Sequence, residues 1–501
     1  MKSTWLRLLA ALLTLTLVAA ACGSDTVSDV VDDATDSVSD DAAASLEAAK
    51  EAAADAEKRA DDAEARADDA EKAAEDAAAG ADADPEPAGD GGIEGTTVTV
   101  SGPERSEAEA GALNAALEEF GNANGINILY KGSAAWEADI NIQLAAGSNP
   151  DISIFPQPGK LADFAREGSV LPLPDETTAA VAENWTESVM GFGLVDGVQY
   201  GVPNKNDLKS LVWYQPARFE AGGYEIPQTL DELWALSDTM IADGNTPWCI
   251  GIESGNATGW PFTDWVEDMM LRTTTPENYD AWTTGDLPFS SPEVQNAMEI
   301  VLEQWNKPGA VFAAGGSIAT TTFQANGEPL VAGDCMMHRQ ASFFSAFLPE
   351  GTPVADGSED AVDVFYFPEG STGRPVLGSG TLAGAFEDRP EVWAVMEYFG
   401  SPEYANARQA KQKELKTGDE EGDVLSGFNT ANLGADPSLW APLEQSFLEI
   451  LANAEVLRFD GSDLMPADVG AGTFWSEGTA MVNGDTTIEE GTAAIDASWP
   501  S

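Results

Sequence analysis

The stretch TVTVSGPERSEAEAGALNAALEEFGNANGINILYKGSAAWEADINIQLAAGSNPDISIF, residues 97–155, decides the fold of this chain. Three short apolar runs, at 97–100, 126–130 and 151–155, have the composition of β-strands. Amphipathic segments separate and follow them, and in the first of these Leu113 and Leu117 share one face. The predicted helices begin at about Ser106, lie near 138–146 and span 160–166.

This alternation of strands and helices predicts an α/β fold with a parallel sheet and helical crossovers. In such sheets, ligands bind beyond the carboxyl ends of the strands, because the connecting loops meet there. Here those loops are residues 101–105, 131–137 and 155–159. We therefore expect polar site residues in these three loops.

The N-terminus has the pattern of a bacterial export signal that ends in a lipoprotein cleavage box. Lys2 and Arg7 precede the apolar run 8–18, which is short for a membrane span, and small residues follow up to Cys22. We expect residues 1–21 to be a signal peptide and the Cys22 thiol to be acylated. The protein would then be anchored by lipid at the extracellular face of the cell membrane; an uncleaved apolar anchor is the alternative.

Residues 22–95 form an acidic, Ala-rich spacer that is almost free of aromatic side chains. Alanines recur at alternating steps of four and three, which is a heptad spacing and predicts a helix from about Ala42 to Ala79. Alanine buries little area, so an isolated helix and a self-associating coil both remain open. The alanines are Ala56, Ala60, Ala63, Ala67, Ala70, Ala74 and Ala77.

The charge balance excludes several classes of partner. The chain has 86 acidic and 24 basic residues, a formal net charge of −62. Such a chain repels nucleic-acid phosphates and anionic lipid head groups, so we expect no nucleic-acid partner and no peripheral-membrane role. Solubility is the simplest interpretation of the acidity.

The chain has three cysteines, too few for a metal cluster of their own. If Cys22 carries lipid, Cys249 and Cys335 remain as one possible disulfide in an oxidising compartment. Two buried free thiols are the alternative.

Several segments resemble the extracellular solute-binding proteins of carbohydrate ABC importers (family 1). The resemblance extends from Thr96 to the C-terminus. Two segments, 248–265 and 335–340, look most like the α-glucoside-binding branch. The segments that carry the family resemblance are 150–152, Gly201-Val202-Pro203, 209–214, Phe219, Gly223-Tyr224, 227–233 and Phe474-Trp475.

The resemblance implies a two-lobed fold like that of periplasmic binding proteins, with strands that cross a hinge and a ligand cleft between the lobes. Lobe one would comprise 96–205 plus 352–415, and lobe two 208–348 plus 425–501, with the first crossing at 204–209. It also implies that the protein captures a carbohydrate and delivers it to ABC permease subunits. We expect no enzyme activity, no cofactor and no metal ion.

A pyranose has apolar C–H faces and a rim of hydroxyl groups, so its site needs flat aromatic rings and polar side chains. The resemblance implies Trp475 and Trp260 as stacking rings, followed by Trp136; we expect Trp213 to belong to the core. The polar candidates are Glu104, Arg105, Glu137, Gln157, Asp207, Asp264, His338 and Arg339.

Two other functions remain open. A secreted glycosidase also uses carboxylates and tryptophans, although no local motif identifies an acid and a nucleophile here. The sequence has no Gly-rich phosphate loop, zinc-type His spacing or Gly-x-Ser-x-Gly motif. A sugar-binding subunit that feeds a sensor instead of a permease is the other alternative.

Overall fold

The computed structural model describes residues 93–417, 425–454 and 456–500. These described residues form one compact unit. The predicted signal peptide, Cys22 and nearly all of the predicted spacer lie outside the described residues. Among the helices of the described ranges, none is both long and apolar enough to cross a membrane.

The first sheet has six strands in the order β13-β12-β3-β1-β2, and β6 also pairs with β12. Strand β1 pairs in parallel with both β2 and β3, as the sequence predicts, whereas β12 runs antiparallel to β3 and β6. The strands are β1 (Thr97–Gly102), β2 (Asn127–Gly132), β3 (Ile152–Phe155), β6 (Val202–Leu208), β12 (Val376–Ala385) and β13 (Leu457–Phe459).

The second sheet has five strands in the order β11-β7-β10-β8-β9. Its strands are β7 (Leu211–Tyr214), β8 (Trp248–Cys249), β9 (Val311–Phe312), β10 (Met337–Arg339) and β11 (Asp363–Tyr366). Two further strands, β4 (Leu194–Val195) and β5 (Val198–Gln199), form a separate hairpin.

Helices cover and connect the sheets. The α-helices are α1 (Glu107–Asn124), α2 (Trp136–Ala146), α3 (Pro158–Arg166), α4 (Asp175–Ala182), α5 (Glu187–Met190), α6 (Pro216–Gly222), α7 (Leu230–Ala242), α8 (Trp260–Thr273), α9 (Pro276–Thr283), α10 (Pro292–Trp305), α11 (Gly327–Ala332), α12 (Pro390–Phe399), α13 (Pro402–Thr417), α14 (Pro442–Asn453), α15 (Gly461–Leu464), α16 (Trp475–Asn483) and α17 (Ile488–Ala497). A π-helix, Val469–Phe474, directly precedes α16.

Helix α1 illustrates how the local sequence determines an element. Ser106 caps its N-terminus in a capping box with Glu109, and Gly125 ends it with a positive φ of 71°. Leu113 and Leu117 are buried against the first sheet, and the ring of Phe120 stacks on another ring, that of Tyr398, at 4.0 Å. The helix predicted from about Ser106 is therefore confirmed, with its apolar face in the core.

Each sheet packs on a hydrophobic core, a further cluster joins residues of β6 and β12 to residues of β7, and three segments cross between the two sides. The chain leaves the first sheet between β6 and β7, through Lys209 and Ser210, crosses back between β11 and β12, and leaves again after β13, since the residues that follow β13 pack in the core of the second sheet. Two strands lie in the sheet other than the one that the predicted lobe ranges imply. Strand β11 pairs with β7 of the second sheet, and β13 pairs with β12 of the first. β11 differs because the second crossing lies after residue 366 and not near residue 352, and β13 differs because the last crossing lies after residue 459.

Candidate functional site

An open cavity lies where the segments after β1, β2 and β3 meet helices and loops that pack on the side of the second sheet. The three segments contribute Pro103 to Arg105, then Ser133, Ala134 and Glu137, and finally Pro156 with Gln157. Of the candidates chosen from the sequence, seven line this cavity: Glu104, Arg105, Glu137, Gln157, Asp207, Trp260 and Trp475.

Aromatic rings form the apolar part of the wall. Trp260 begins α8 and is half-buried; its ring centroid lies 4.9 Å from that of Phe323 and 6.0 Å from that of Phe343. Trp475 begins α16 and is only 3% exposed. Phe347 and Phe428 complete the aromatic lining.

Gly259 brings the two tryptophans together. Its φ of 115° lies in the region that favours glycine, and a Cβ at this position would collide with the backbone oxygen of Trp475. The Thr258-Gly259-Trp260-Pro261 motif thus sets the start of α8 directly against the start of α16, with proline in the first turn where no hydrogen-bond donor is lost.

Four charged residues form the first-sheet side of the wall, which we call the Glu104 cluster: Glu104, Lys205, Asp207 and Arg408. Arg408 Nη2 donates to both Glu104 carboxylate oxygens, at 2.8 and 2.9 Å, and Lys205 Nζ lies 3.4 Å from Glu104 and 3.5 Å from Asp207. Burial alone would raise the pKa of Glu104, but the two cations lower it. For Asp207, burial outweighs Lys205 and the pKa is raised.

A second group lies mainly behind the wall on the second-sheet side, and we call it the Lys209 cluster. It comprises Lys209, Asp264, Glu267, Asp268, Arg272, Arg339, Asp460 and Asp463. Lys209 Nζ donates to Asp264 at 2.7 Å and to Asp460, and it lies 5.3 Å from the Trp260 ring centroid. Arg339 donates to Asp264 at 3.1 Å and to Asp268.

The Lys209 cluster ties the crossings to helix α8, on which Asp264 and Asp268 lie one turn apart. Ser210 Oγ donates to Asp268 at 2.7 Å, and the amide N–H of Leu377, in β12, donates to Ser210 Oγ at 2.9 Å. Asp460 follows β13. One buried network therefore reaches the connections next to three strands.

Four of the sequence candidates do not lie on the cavity wall. Trp136 is 1% exposed, its indole N–H donates to Ser153 Oγ at 3.0 Å, and its ring packs edge-on against Phe155. Trp136 therefore packs in the core and offers no free face for stacking.

The expectation that Trp213 belongs to the core is confirmed, since it is fully buried and donates to the backbone oxygen of Gln340.

Asp264, Arg339 and His338 also lie behind the cavity wall. Their polar groups bind one another or the backbone. Asp264 and Arg339 pair within the Lys209 cluster. His338 Nδ1 lies 2.9 Å from the backbone oxygen of Cys249, and burial lowers the pKa of His338 to about 4, so its ring is neutral at pH 7. These residues can support the wall but do not form its surface.

Cys249 and Cys335 are joined in the structure, with Cα atoms 5.5 Å apart. Cys249 ends β8, and Cys335 lies two residues before β10. The disulfide therefore connects the segment that precedes Trp260 to the segment that carries Arg339.

Several residues of the cavity wall are not among the candidates chosen from the sequence. Lys205 and Lys209 lie in or next to quoted motifs, and their position at the first crossing was the available signal. Arg408, Phe428 and Asp463 come from distant segments, and no local pattern marks them.

One group of carboxylates has the spacing of a cation site. Oxygen atoms of Asp264, Glu267 and Asp460 lie within 4.8 Å of one another. The Lys209 ammonium already bonds two of the three carboxylates, so a protein cation supplies the positive charge there.

Comparison with known proteins identifies the family. Residues 104–406 match the family described as bacterial extracellular solute-binding protein. The chain is 39% identical to the alpha-glucosides-binding periplasmic protein AglE of Rhizobium meliloti, over 82% of this chain and 88% of that protein. It is also 39% identical to the osmoprotective compounds-binding protein GgtB of Synechocystis sp., over 77% and 89%.

Solved structures of similar proteins have the same fold as this chain. A chitin oligosaccharide binding protein superposes with a TM-score of 0.65 at 18% identity, covering 80% of this chain and 97% of its own. The α/β, two-lobed fold predicted from the sequence is therefore confirmed. The chain belongs to the bacterial extracellular solute-binding protein family, as its sequence motifs predict.

Proposed function

We propose that this protein captures a neutral carbohydrate, an α-glucoside or another oligosaccharide, in the described cavity and delivers it to an ABC permease. The observation that carries the proposal is the 39% identity, over most of both chains, to a protein named for binding α-glucosides. The second relative is named for binding osmoprotective compounds.

The chemistry of the cavity supports a neutral ligand. Lys205, Lys209 and Arg408 each pair with a carboxylate, so three cations of the wall are already neutralised. The remaining surface combines aromatic rings with polar groups, which suits the apolar faces and hydroxyl rim of a pyranose.

In this proposal, Trp260 and Trp475 contact the sugar rings. The polar groups that contact hydroxyls are Glu104, Arg105, Glu137, Gln157 and Asp207. Trp136, Asp264, His338 and Arg339 act from behind the wall by fixing the elements that carry these groups. Lobe closure about the crossings would bury the ligand, and the closed form would dock on the permease.

We further propose that the protein is exported, acylated at Cys22 and held at the extracellular face of the membrane, with residues 22–95 as a spacer. The Cys249–Cys335 disulfide belongs to this proposal, since an exported domain folds in an oxidising compartment. Non-reducing mass mapping should find both cysteines in one linked peptide and a diacylglycerol on Cys22. Two free thiols, or an unmodified Cys22 in membrane fractions, would contradict these assignments. Sedimentation of the intact chain against one that lacks 24–90 tests spacer self-association.

The protein would release its ligand unaltered, which separates this proposal from a glycosidase. Purified protein should bind sugar without producing cleaved product; hydrolysis would favour the glycosidase. A sensor-coupled binding protein would bind sugar equally well. Loss of sugar uptake on deletion of the gene supports the importer, and intact uptake with a lost transcriptional response supports the sensor.

Calorimetric titration of the purified protein with maltose, trehalose, sucrose and a polyol tests the ligand class. We expect saturable binding of at least one of these at one site per chain, and no binding of glucose 6-phosphate. Failure of every neutral glycoside to bind, or tighter binding of the charged sugar, would contradict the proposal.

A further inference from the structure

Asp463 is a cavity residue that the proposed set of sugar contacts does not use. It lies in α15, lines the cavity and is 8% exposed. Its backbone N–H donates to Asp460 Oδ1 at 2.9 Å. Within residues 93–417, 425–454 and 456–500, no hydrogen-bond donor contacts its carboxyl group. This carboxyl is thus buried, borders the cavity and lacks a protein partner.

The charge count of the Lys209 cluster leaves two carboxyl groups without a cation. Lys209 binds Asp264 and Asp460, while Arg339 binds Asp264 and Asp268. The third cation, Arg272, binds Asp268 at 2.6 Å. Five carboxyl groups therefore share three cations, and the two without an ion pair are Glu267 and Asp463.

A buried carboxylate without a cation is costly, and a proton is the least costly remedy. Burial, followed by the charge of Asp460, raises the pKa of Asp463 well above its ordinary value. Burial, followed by Asp460 and Asp264, does the same to the pKa of Glu267. With a proton on each of these two surplus groups, the cluster is electrically balanced.

The groups around Asp463 come from several elements, and they do not offer it a free cation. Asp460 faces it from its own segment, Lys209 from the β6–β7 connection, Asp264 from α8 and Glu137 from α2. On the packed helices, Lys160 of α3 donates to the backbone oxygen of Glu137, and Tyr279 of α9 donates to that of Phe459. Arg458 of β13 binds Asp280.

We propose that Asp463 is a specificity-determining residue that lines the cavity as a neutral carboxylic acid and donates its O–H to an oxygen of the bound ligand. The inference rests on the proposed function, since it requires a ligand with acceptor oxygens. Glycosidic and ring oxygens can only accept hydrogen bonds, so a neutral acid recognises them where a carboxylate would repel them. Glu267 does not line the cavity, so its carboxyl group does not contact the ligand in this proposal.

Infrared difference spectroscopy of the purified protein tests the protonation state directly, with the sugar that binds best in the calorimetric panel. We expect a protonated-carboxyl C=O band at pH 7 that is absent from Asp463→Asn and shifts to lower frequency when the sugar binds. Glu267→Gln serves as the matched control and should remove a different band that the sugar does not shift. A spectrum of Asp463→Asn with no band missing, or a band that ignores the sugar, would overturn the proposal.

Affinity provides the second readout. Asp463→Asn keeps a neutral donor and should bind within about threefold of wild type, whereas Asp463→Ala should bind roughly tenfold more weakly. Because the neutral acid binds the sugar, wild-type affinity should fall with the C=O band as pH rises through the folded pKa, and Asp463→Asn should show no such fall. A band that titrates while affinity stays constant would contradict the role.

The two proposals fail differently. If wild type binds no glycoside, the proposed function is wrong. If wild type binds sugar but Asp463→Asn binds as weakly as Asp463→Ala, only the inference about Asp463 is wrong. Circular dichroism of both variants shows whether a lost affinity reflects lost folding.

Discussion

The two sides of the cavity use buried charge differently. In the Glu104 cluster, the carboxylates lie on the cavity wall, and the Glu104 side chain remains 12% exposed. In the Lys209 cluster, Asp264, Asp268 and Arg272 have fully buried side chains and bind one another and the backbone. The first cluster can exchange a protein partner for water or ligand, whereas these three members of the second cannot. We infer that the Glu104 cluster serves recognition and that the buried members of the Lys209 cluster hold the crossings to α8.

The largest expected effect comes from removing a cation from the Lys209 cluster. Arg339→Met removes one of the two cations that each of Asp264 and Asp268 binds in a fully buried network, and we expect a loss of about 3–5 kcal/mol in the free energy of unfolding, measured by chemical denaturation. Arg408→Met is the matched control, because Glu104 keeps Lys205 and borders the cavity. A larger loss in the control than in Arg339→Met would refute the distinction between the two sides.

The disulfide should matter next. Cys249 and Cys335 are 86 residues apart, so the Cys249→Ser/Cys335→Ser double variant loses a constraint on the unfolded chain worth about 4 kcal/mol. The unfolding free energies of the oxidised wild type and the double variant give this difference. Reduced wild type should match the variant; an unchanged stability on reduction would show that the link is absent or unimportant.

A smaller effect, on binding rather than folding, is expected at the aromatic wall. Trp475→Ala should weaken sugar binding by about 2 kcal/mol, since it removes a buried ring that borders the ligand. Trp393→Ala is the control, because this partly buried tryptophan packs on the first core and does not line the cavity. Calorimetry should find normal affinity in the control, and unchanged affinity in a folded Trp475→Ala would remove Trp475 from the site.

The smallest effect concerns pH. Burial raises the pKa of Asp264 to about 6 despite Lys209 and Arg339, so the folded protein binds more protons than the unfolded chain between about pH 4 and 6. Over this window Asp264 should lower the stability of wild type as pH rises. The difference in unfolding free energy between wild type and Asp264→Asn should therefore change across the window and level off above it. A constant difference would show that Asp264 does not titrate there.

The sequence predicts the first three strands and helices well, and the signals are strongest for α1, which has an apolar face and caps at Ser106 and Gly125. It also identifies the loops after those strands, since parallel topology brings their ends together. It does not distinguish Trp260 from Trp136, which both begin helices. Only the packing against Ser153 and Phe155 determines that Trp136 belongs to the core.

Long-range pairing explains the remaining misses. Arg408 reaches Glu104 across 304 positions, and Lys209 reaches Asp460 across 251. Such partners leave no local signal in a single sequence. The same reason applies to the misplaced lobe boundary, because β11 and β13 are too short to show which sheet they join.

A crystal structure of the protein with its tightest-binding glycoside would show most directly whether the cavity is a sugar site. We expect an intact sugar in the cavity, with a ring against Trp260 or Trp475, hydroxyl groups at Glu104 and Glu137, and an acceptor oxygen at Asp463. A sugar bound elsewhere on the protein, or a cleaved product in the cavity, would contradict it.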